Sequence, residues 1–216
     1  MRKRIMKTRA TIVIFFLALS SCSVVGIRDS FEQLPYTVVE TINEHVEIRR
    51  YSSRVVAEVT VDAADPDKSN REAFGLLFAY ISGDNAPNAN IEMTGPVAMS
   101  RDGAKISMTT PVETAAVGGD LTMRFFLPSS ITEATAPRPI DSRVSIVTVP
   151  EQMVAALRYS GSRDVEQAAE KETELREALA TSAWQPVGEA VSYYYDPPWT
   201  LPWFRRNESI VLVSRD

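Results

Sequence analysis

The sequence predicts an α+β domain: duplicated β-β-α-β-β units forming a distorted, partly closed antiparallel β-barrel flanked by two helices. Three observations lead there. The phrase Ile-x-Met-Thr-x-Pro-Val occurs twice, at 91–97 and 106–112. Most other apolar segments alternate with period two, and only two stretches carry helical spacing. Finally, Val46-Glu47-Ile48-Arg49-Arg50-Tyr51-Ser52 can be laid against Val154-Ala155-Ala156-Leu157-Arg158-Tyr159-Ser160, and the terminal Arg-Tyr-Ser matches.

The chain opens with five basic residues (Arg2, Lys3, Arg4, Lys7, Arg9) and no acidic one in its first 21 positions. A short apolar run follows, ending in Leu19-Ser20-Ser21-Cys22. A basic start, a short apolar core and small residues before a cleavage point describe a secretory signal. The run is too short for a spanning helix, which needs about 20 apolar residues. Leu-Ser-Ser-Cys resembles a bacterial lipobox, in which the cysteine is lipidated and becomes the mature N-terminus. Cys22 is the only cysteine of the chain. The expected organisation is therefore a lipoprotein signal peptide (1–21), a lipidated Cys22 with a tether (22–34) and one folded domain (35–216). Ser23 follows Cys22, which resembles outer-membrane sorting. The implied location is the bacterial cell envelope, at the outer membrane facing the periplasm.

Beyond the signal, 18 basic residues stand against 28 acidic ones, a net charge of −10. Phosphate-backbone binding needs clustered lysine and arginine, so no nucleic-acid partner is expected. The same charge repels anionic lipid, so membrane contact is expected through the anchor alone.

Within the domain, 36–40, 46–51 and 54–61 alternate and read as strands. Ser69 is the expected N-cap of a first helix, with Glu72 as capping-box partner. Phe74, Leu77, Phe78 and Ile81 form its apolar stripe, and Gly83 is its expected C-cap residue. The two Ile-x-Met-Thr-x-Pro-Val segments read as a hairpin through the turn 100–103, each strand ending or bulging at its proline. Strands are expected at 121–127, 144–149 and 153–159, with a long loop at 128–141. A second helix is expected from about 163 to 181, with a narrow Ala-rich apolar face that permits close packing and a Glu172–Arg176 pair. Strands at 189–195 and 208–213 close the chain around a Pro-rich aromatic loop.

These segments, with Tyr80-Ile81-Ser82-Gly83-Asp84-Asn85, Phe126-Leu127-Pro128, Pro139-Ile140-Asp141, Arg158-Tyr159-Ser160-Gly161, Tyr195-Asp196-Pro197-Pro198-Trp199-Thr200 and Arg205-Arg206-Asn207-Glu208, strongly resemble the SOUL family of haem-binding proteins. The likeness covers about 36–214. It implies non-covalent binding of haem b or another tetrapyrrole in a shallow apolar groove. Carried onto this chain, one wall draws on Arg71, Phe74, Leu77, Phe78 and Ile81, and the other on Pro198, Trp199, Leu201, Trp203 and Phe204. Arg205 and Arg206 flank the second wall and are candidate propionate contacts, with a structural ion pair as the competing reading. A carrier or buffer role follows from this, with another amphipathic small ligand as the alternative.

His45 is the only histidine. It lies at a turn and reads as an exposed surface group, which leaves tyrosine, methionine (Met93, Met108) or no iron ligand at all. One histidine gives little room for a Ser-His-Asp triad or a His-rich metal site, so no enzyme is expected. Glu92, Glu113 and Glu208 are the acids that a hydrolase on this scaffold would draw on.

Overall fold

A computed structural model of the chain describes residues 32–86, 106, 109–117, 119–197 and 199–215. The signal segment, Cys22, the first Ile-x-Met-Thr-x-Pro-Val copy with its turn, Met93, Met108, Glu92 and Pro198 lie outside the described residues.

The elements follow in order. The first are β1 (Glu32–Gln33), β2 (Thr37–Thr41), β3 (Val46–Tyr51), β4 (Arg54–Asp62), α1 (Pro66–Ser82) and β5 (Asn85–Ala86). Next come β6 (Thr109–Thr110), β7 (Val112–Val117), β8 (Asp120–Phe126), β9 (Arg138–Pro139), β10 (Ser145–Val149) and β11 (Gln152–Tyr159). The chain then forms α2 (Val165–Leu179), β12 (Trp184–Tyr194), a 3₁₀ turn (Pro202–Phe204) and β13 (Asn207–Arg215). Pro111 ends β6 before β7 begins, as a missing ladder donor requires.

One nine-stranded sheet runs β10-β4-β8-β7-β12-β13-β11-β3-β2, every neighbouring pair antiparallel. It is open, and the expected barrel does not close. Closure would require its two edge strands to pair. One edge, β2, is largely exposed and carries a register irregularity between Val38 and Glu40. Such a short, exposed, bulged strand ends a sheet. The strands 46–51 and 154–159, whose Arg-Tyr-Ser endings match, are direct neighbours, with Ile48 opposite Ala155 and Val46 opposite Leu157.

Alternation divides the core into three. Ala73, Leu77, Tyr80 and Ile81 of α1 pack on Ala57, Val59, Met123 and Phe125 from one face of β4 and β8. Leu175 and Leu179 of α2 pack on Ile48, Ala155, Leu157 and Val211. The opposite faces meet each other: Val56 and Phe126 join Val154, Ala156, Tyr193 and Ile210 in a third cluster. The sheet thus curves onto its own inner face, with one helix outside each half.

Helix α1 is capped four residues before the expected Ser69. Asp65 is its N-cap, accepting from the Lys68 amide at 3.1 Å, and Pro66 presets the first helical position. The Ser69 hydroxyl donates back to Asp65 O at 2.7 Å, and Glu72 pairs with Arg143 at 3.1 Å instead of closing a capping box. Gly83 caps the C-terminus at φ 118°, as its sequence position predicts.

Candidate functional site

The apolar stripe of α1 divides along its length. Leu77 and Ile81 are core residues. Phe74 and Phe78 remain 37% and 47% exposed, their rings stacked at 5.9 Å, with the edge of Phe74 against Phe125. Arg71 is exposed beside them. So three of the five residues expected in the helix wall reach solvent, and two serve packing.

The C-terminal aromatic loop is framed by its own backbone. Thr200 N–H donates to Pro197 O, Phe204 N–H to Leu201 O and Arg205 N–H to Pro202 O. Arg205 Nε reaches Thr200 O at 2.7 Å, and the Gly161 amide ties the neighbouring turn to Pro202 O at 3.0 Å. Arg163 Nη2 donates to Asp196 O at 2.5 Å, and Asp196 accepts from the Arg206 amide at 2.6 Å. This fixed loop carries Trp199 and Trp203, 66% and 65% exposed, with Phe204 at 42%. Leu201 is half-buried. The tryptophans are therefore presented outward and do not pin the loop to the core.

The two arginines of the loop differ. Arg206 lies over the Tyr195 ring at 3.9 Å and pairs with Glu208 at 2.7 Å. That is the structural ion-pair reading. Arg205 is half-buried and faces a cleft.

The cleft, of about 630 Å³, lies between the 3₁₀ turn and α2. Trp203, Phe204 and Arg205 form one wall. Gln167, Lys171 and Glu174 form the other, spaced four and three apart on one helix face. The end of β11, including Arg158 and Tyr159, forms the floor, and His45 completes the rim. Burial pushes the Tyr159 hydroxyl up, so it stays protonated as a donor. Lys171 Nζ holds Glu174 at 2.7 Å, and this hydrogen bond raises its pKa, keeping the ammonium charged.

His45 is placed by backbone geometry. Asn43 Oδ1 accepts from the amides of His45 and Val46, both at 2.9 Å, and the Arg158 amide donates to His45 O at 3.0 Å. The histidine is exposed, as its turn position suggests, yet that turn abuts the end of β11. Sequence reasoning missed Gln167, Lys171 and Glu174, which read as an ordinary solvated helix face.

Two acids considered for hydrolysis are held by arginine. Glu113 pairs with Arg124 at 2.5 Å, and Glu208 is enclosed by Arg49 and Arg206.

Fold and cleft together define a small α+β domain that presents aromatic surface beside cations. The chain belongs to the SOUL heme-binding protein family, whose model matches residues 31–212. No curated protein matches it significantly. Among solved structures, it is similar to the EcmrR C-terminal domain at 9% identity and TM-score 0.54, covering 84% of this chain and 99% of that one. It is also similar to a hydrolase from Listeria innocua at 15% identity and TM-score 0.52, covering 80% and 93%. An uncharacterised conserved protein from Listeria innocua gives 15% identity and TM-score 0.54 over the same shares. At these identities the likeness is one of fold.

Proposed function

We propose that this chain is a lipid-anchored envelope protein that binds haem b or a related tetrapyrrole non-covalently, as a carrier or buffer and not as an enzyme. The observation that carries the reading is the exposure of Trp199, Trp203 and Phe204 on a loop fixed by hydrogen bonds. A rigid aromatic surface left open to water is a binding feature, because scattered packing residues do not gather on one ordered loop. Family membership supplies the ligand class. The residues fit it chemically: indole and phenyl faces suit a flat macrocycle, and Lys171 and Arg205 suit its carboxylates. When bound, haem supplies an iron centre, and the protein's part is to shield its faces and neutralise its propionates. The apolar pair Phe74–Phe78 on α1 is the second surface available to such a ligand. Cys22 attached to lipid would hold the domain at the outer membrane, facing the periplasm.

The test is titration of hemin into the full chain in detergent, read by the Soret band. Saturable binding with a Kd of about 1 µM or tighter, some 8 kcal/mol, is expected. Binding no tighter than to the urea-unfolded chain overturns the reading. A co-purified small molecule that hemin fails to displace, seen by native mass spectrometry, replaces it with another amphipathic ligand.

A further inference from the structure

We propose that the tetrapyrrole occupies the cleft between α2 and the 3₁₀ turn, with Trp203 and Phe204 against the macrocycle and His45 as the iron ligand. This rests on the tetrapyrrole reading above and assigns its site to the α2 side of the sheet, whereas the resemblance implies a wall on α1.

Four features of the cleft carry it. The cleft volume of about 630 Å³ lies within the range of small-ligand sites, roughly 300–1,000 Å³. One wall offers aromatic faces: Trp203 and Phe204 sit 6.2 Å apart at 57°, so they form two facets of an apolar corner. Lys171 on the opposite wall and Arg158 on the floor face the same space, with Arg205 beside the aromatic pair, and the one carboxylate of the lining, Glu174, is held by Lys171 at 2.7 Å. An amphipathic dianion needs this division, with its ring against the apolar corner and its carboxylates turned to the cations.

The fourth observation is the imidazole. The only histidine of the chain lies on the rim of this cleft, although it is 158 positions before Trp203 in sequence. Its backbone is held by Asn43 and by Arg158, so the ring is carried on a fixed turn. Imidazole is the commonest protein ligand of haem iron, and a fixed backbone removes part of the ordering cost of coordination. Gly161 completes the arrangement. Its φ of +129° is a conformation that favours glycine, and the end of the Gln167 side chain packs against it.

The experiment compares hemin with metal-free protoporphyrin IX on the full chain in detergent, for wild type, His45→Ala, Trp203→Ala and Phe78→Ala. Both His45 and Trp203 are exposed, and circular dichroism checks that each variant folds. The inference expects His45→Ala to weaken hemin about tenfold, some 1.4 kcal/mol, and to abolish the imidazole-ligated resonance Raman signature. Protoporphyrin binding stays within about twofold, because that ligand has no iron to coordinate. Trp203→Ala weakens both ligands by about tenfold. Loss of binding in Phe78→Ala with none in Trp203→Ala overturns this inference and leaves the tetrapyrrole reading standing. An unchanged hemin spectrum in His45→Ala overturns the iron ligand. Absence of hemin binding in wild type overturns the function itself.

Discussion

Glu208 sits at the centre of a buried cluster of charge with Arg49 and Arg206, and Glu208→Ala tests how that charge is held. Its side chain is 0% exposed on β13, in the middle of the sheet. It accepts from Arg49 Nη1 at 2.7 Å, from Arg206 Nη2 at 2.7 Å and Nε at 3.0 Å, and from the Tyr195 hydroxyl at 2.8 Å. Burial alone would pull the Arg49 pKa down, but Glu208, with Tyr51 and Glu47, outweighs it and leaves the guanidinium above its ordinary value. Truncation leaves two guanidiniums, 3% and 10% exposed, without their main counter-charge. Arg49 retains Glu47 at 2.8 Å and the Tyr36 ring at 4.2 Å, which softens the loss without removing it. Breaking a buried pair by removing one partner costs about 3–5 kcal/mol. The control is Glu58→Ala, where the partner Arg124 is 30% exposed and keeps Glu113, so about 1 kcal/mol or less is expected. Urea denaturation with linear extrapolation measures both. If Glu208→Ala destabilises no more than Glu58→Ala, the network is not what orders this part of the sheet, and the assignment of Arg206 to structure fails with it.

Three further outcomes are expected. Leu77→Ala, at a fully buried position of α1, costs about 2–5 kcal/mol, whereas Phe78→Ala costs about 1 kcal/mol or less, so equal losses in denaturation midpoints would contradict the division of that stripe. Burial raises Tyr51 and Tyr80 to about 12 each, so the stability from keeping them neutral is complete below pH ~10 and is lost as pH rises towards 12. For Tyr51 this loss is about 3 kcal/mol, and thermal melts that do not fall across that window would refute it. Cys22→Ser should abolish incorporation of labelled fatty acid and move the chain from the membrane to the soluble fraction; unchanged labelling would remove the anchor.

Local pattern made most strands legible because alternation is a backbone property. Strand β3 coincides with the alternating segment 46–51, and β4 extends the expected 54–61 by one residue. The pattern failed where backbone geometry interrupts it. Strand β12 begins at Trp184, five residues before its expected start, since Pro186 and Gly188 at φ 75° mask a register shift between Val187 and Val191. Closure of the sheet was not legible either, because it depends on which edges meet and not on any one segment. Half of the cleft was visible in composition: Trp203, Phe204 and Arg205 stand out in a Pro-rich loop. The other half was not, since His45 and Lys171 each look like ordinary surface residues until β11 and α2 bring them together.

The difference between the two helices explains why the cleft lies where it does. Helix α1 buries Ser69, Ala73, Leu77, Tyr80 and Ile81, contacts spread along its length, and so lies flat on β4 and β8. Helix α2 buries only Leu175 and Leu179, both in its last two turns. The narrow Ala-rich face thus packs closely at one end only. The first half of α2 has no large apolar side chain to draw it onto the sheet, and Val165 at its start is 65% exposed. Gln167, Lys171 and Glu174 lie along this less anchored stretch, facing the loop that carries Trp203. A helix anchored at one end, opposite a loop fixed by its own hydrogen bonds, leaves a gap whose walls differ in polarity. Filling that gap from the helix side, with Lys171→Leu, should raise stability or leave it unchanged while weakening hemin, because it adds apolar contact and removes a cation. A variant that binds hemin as well as wild type would show that the charge of Lys171 is not used.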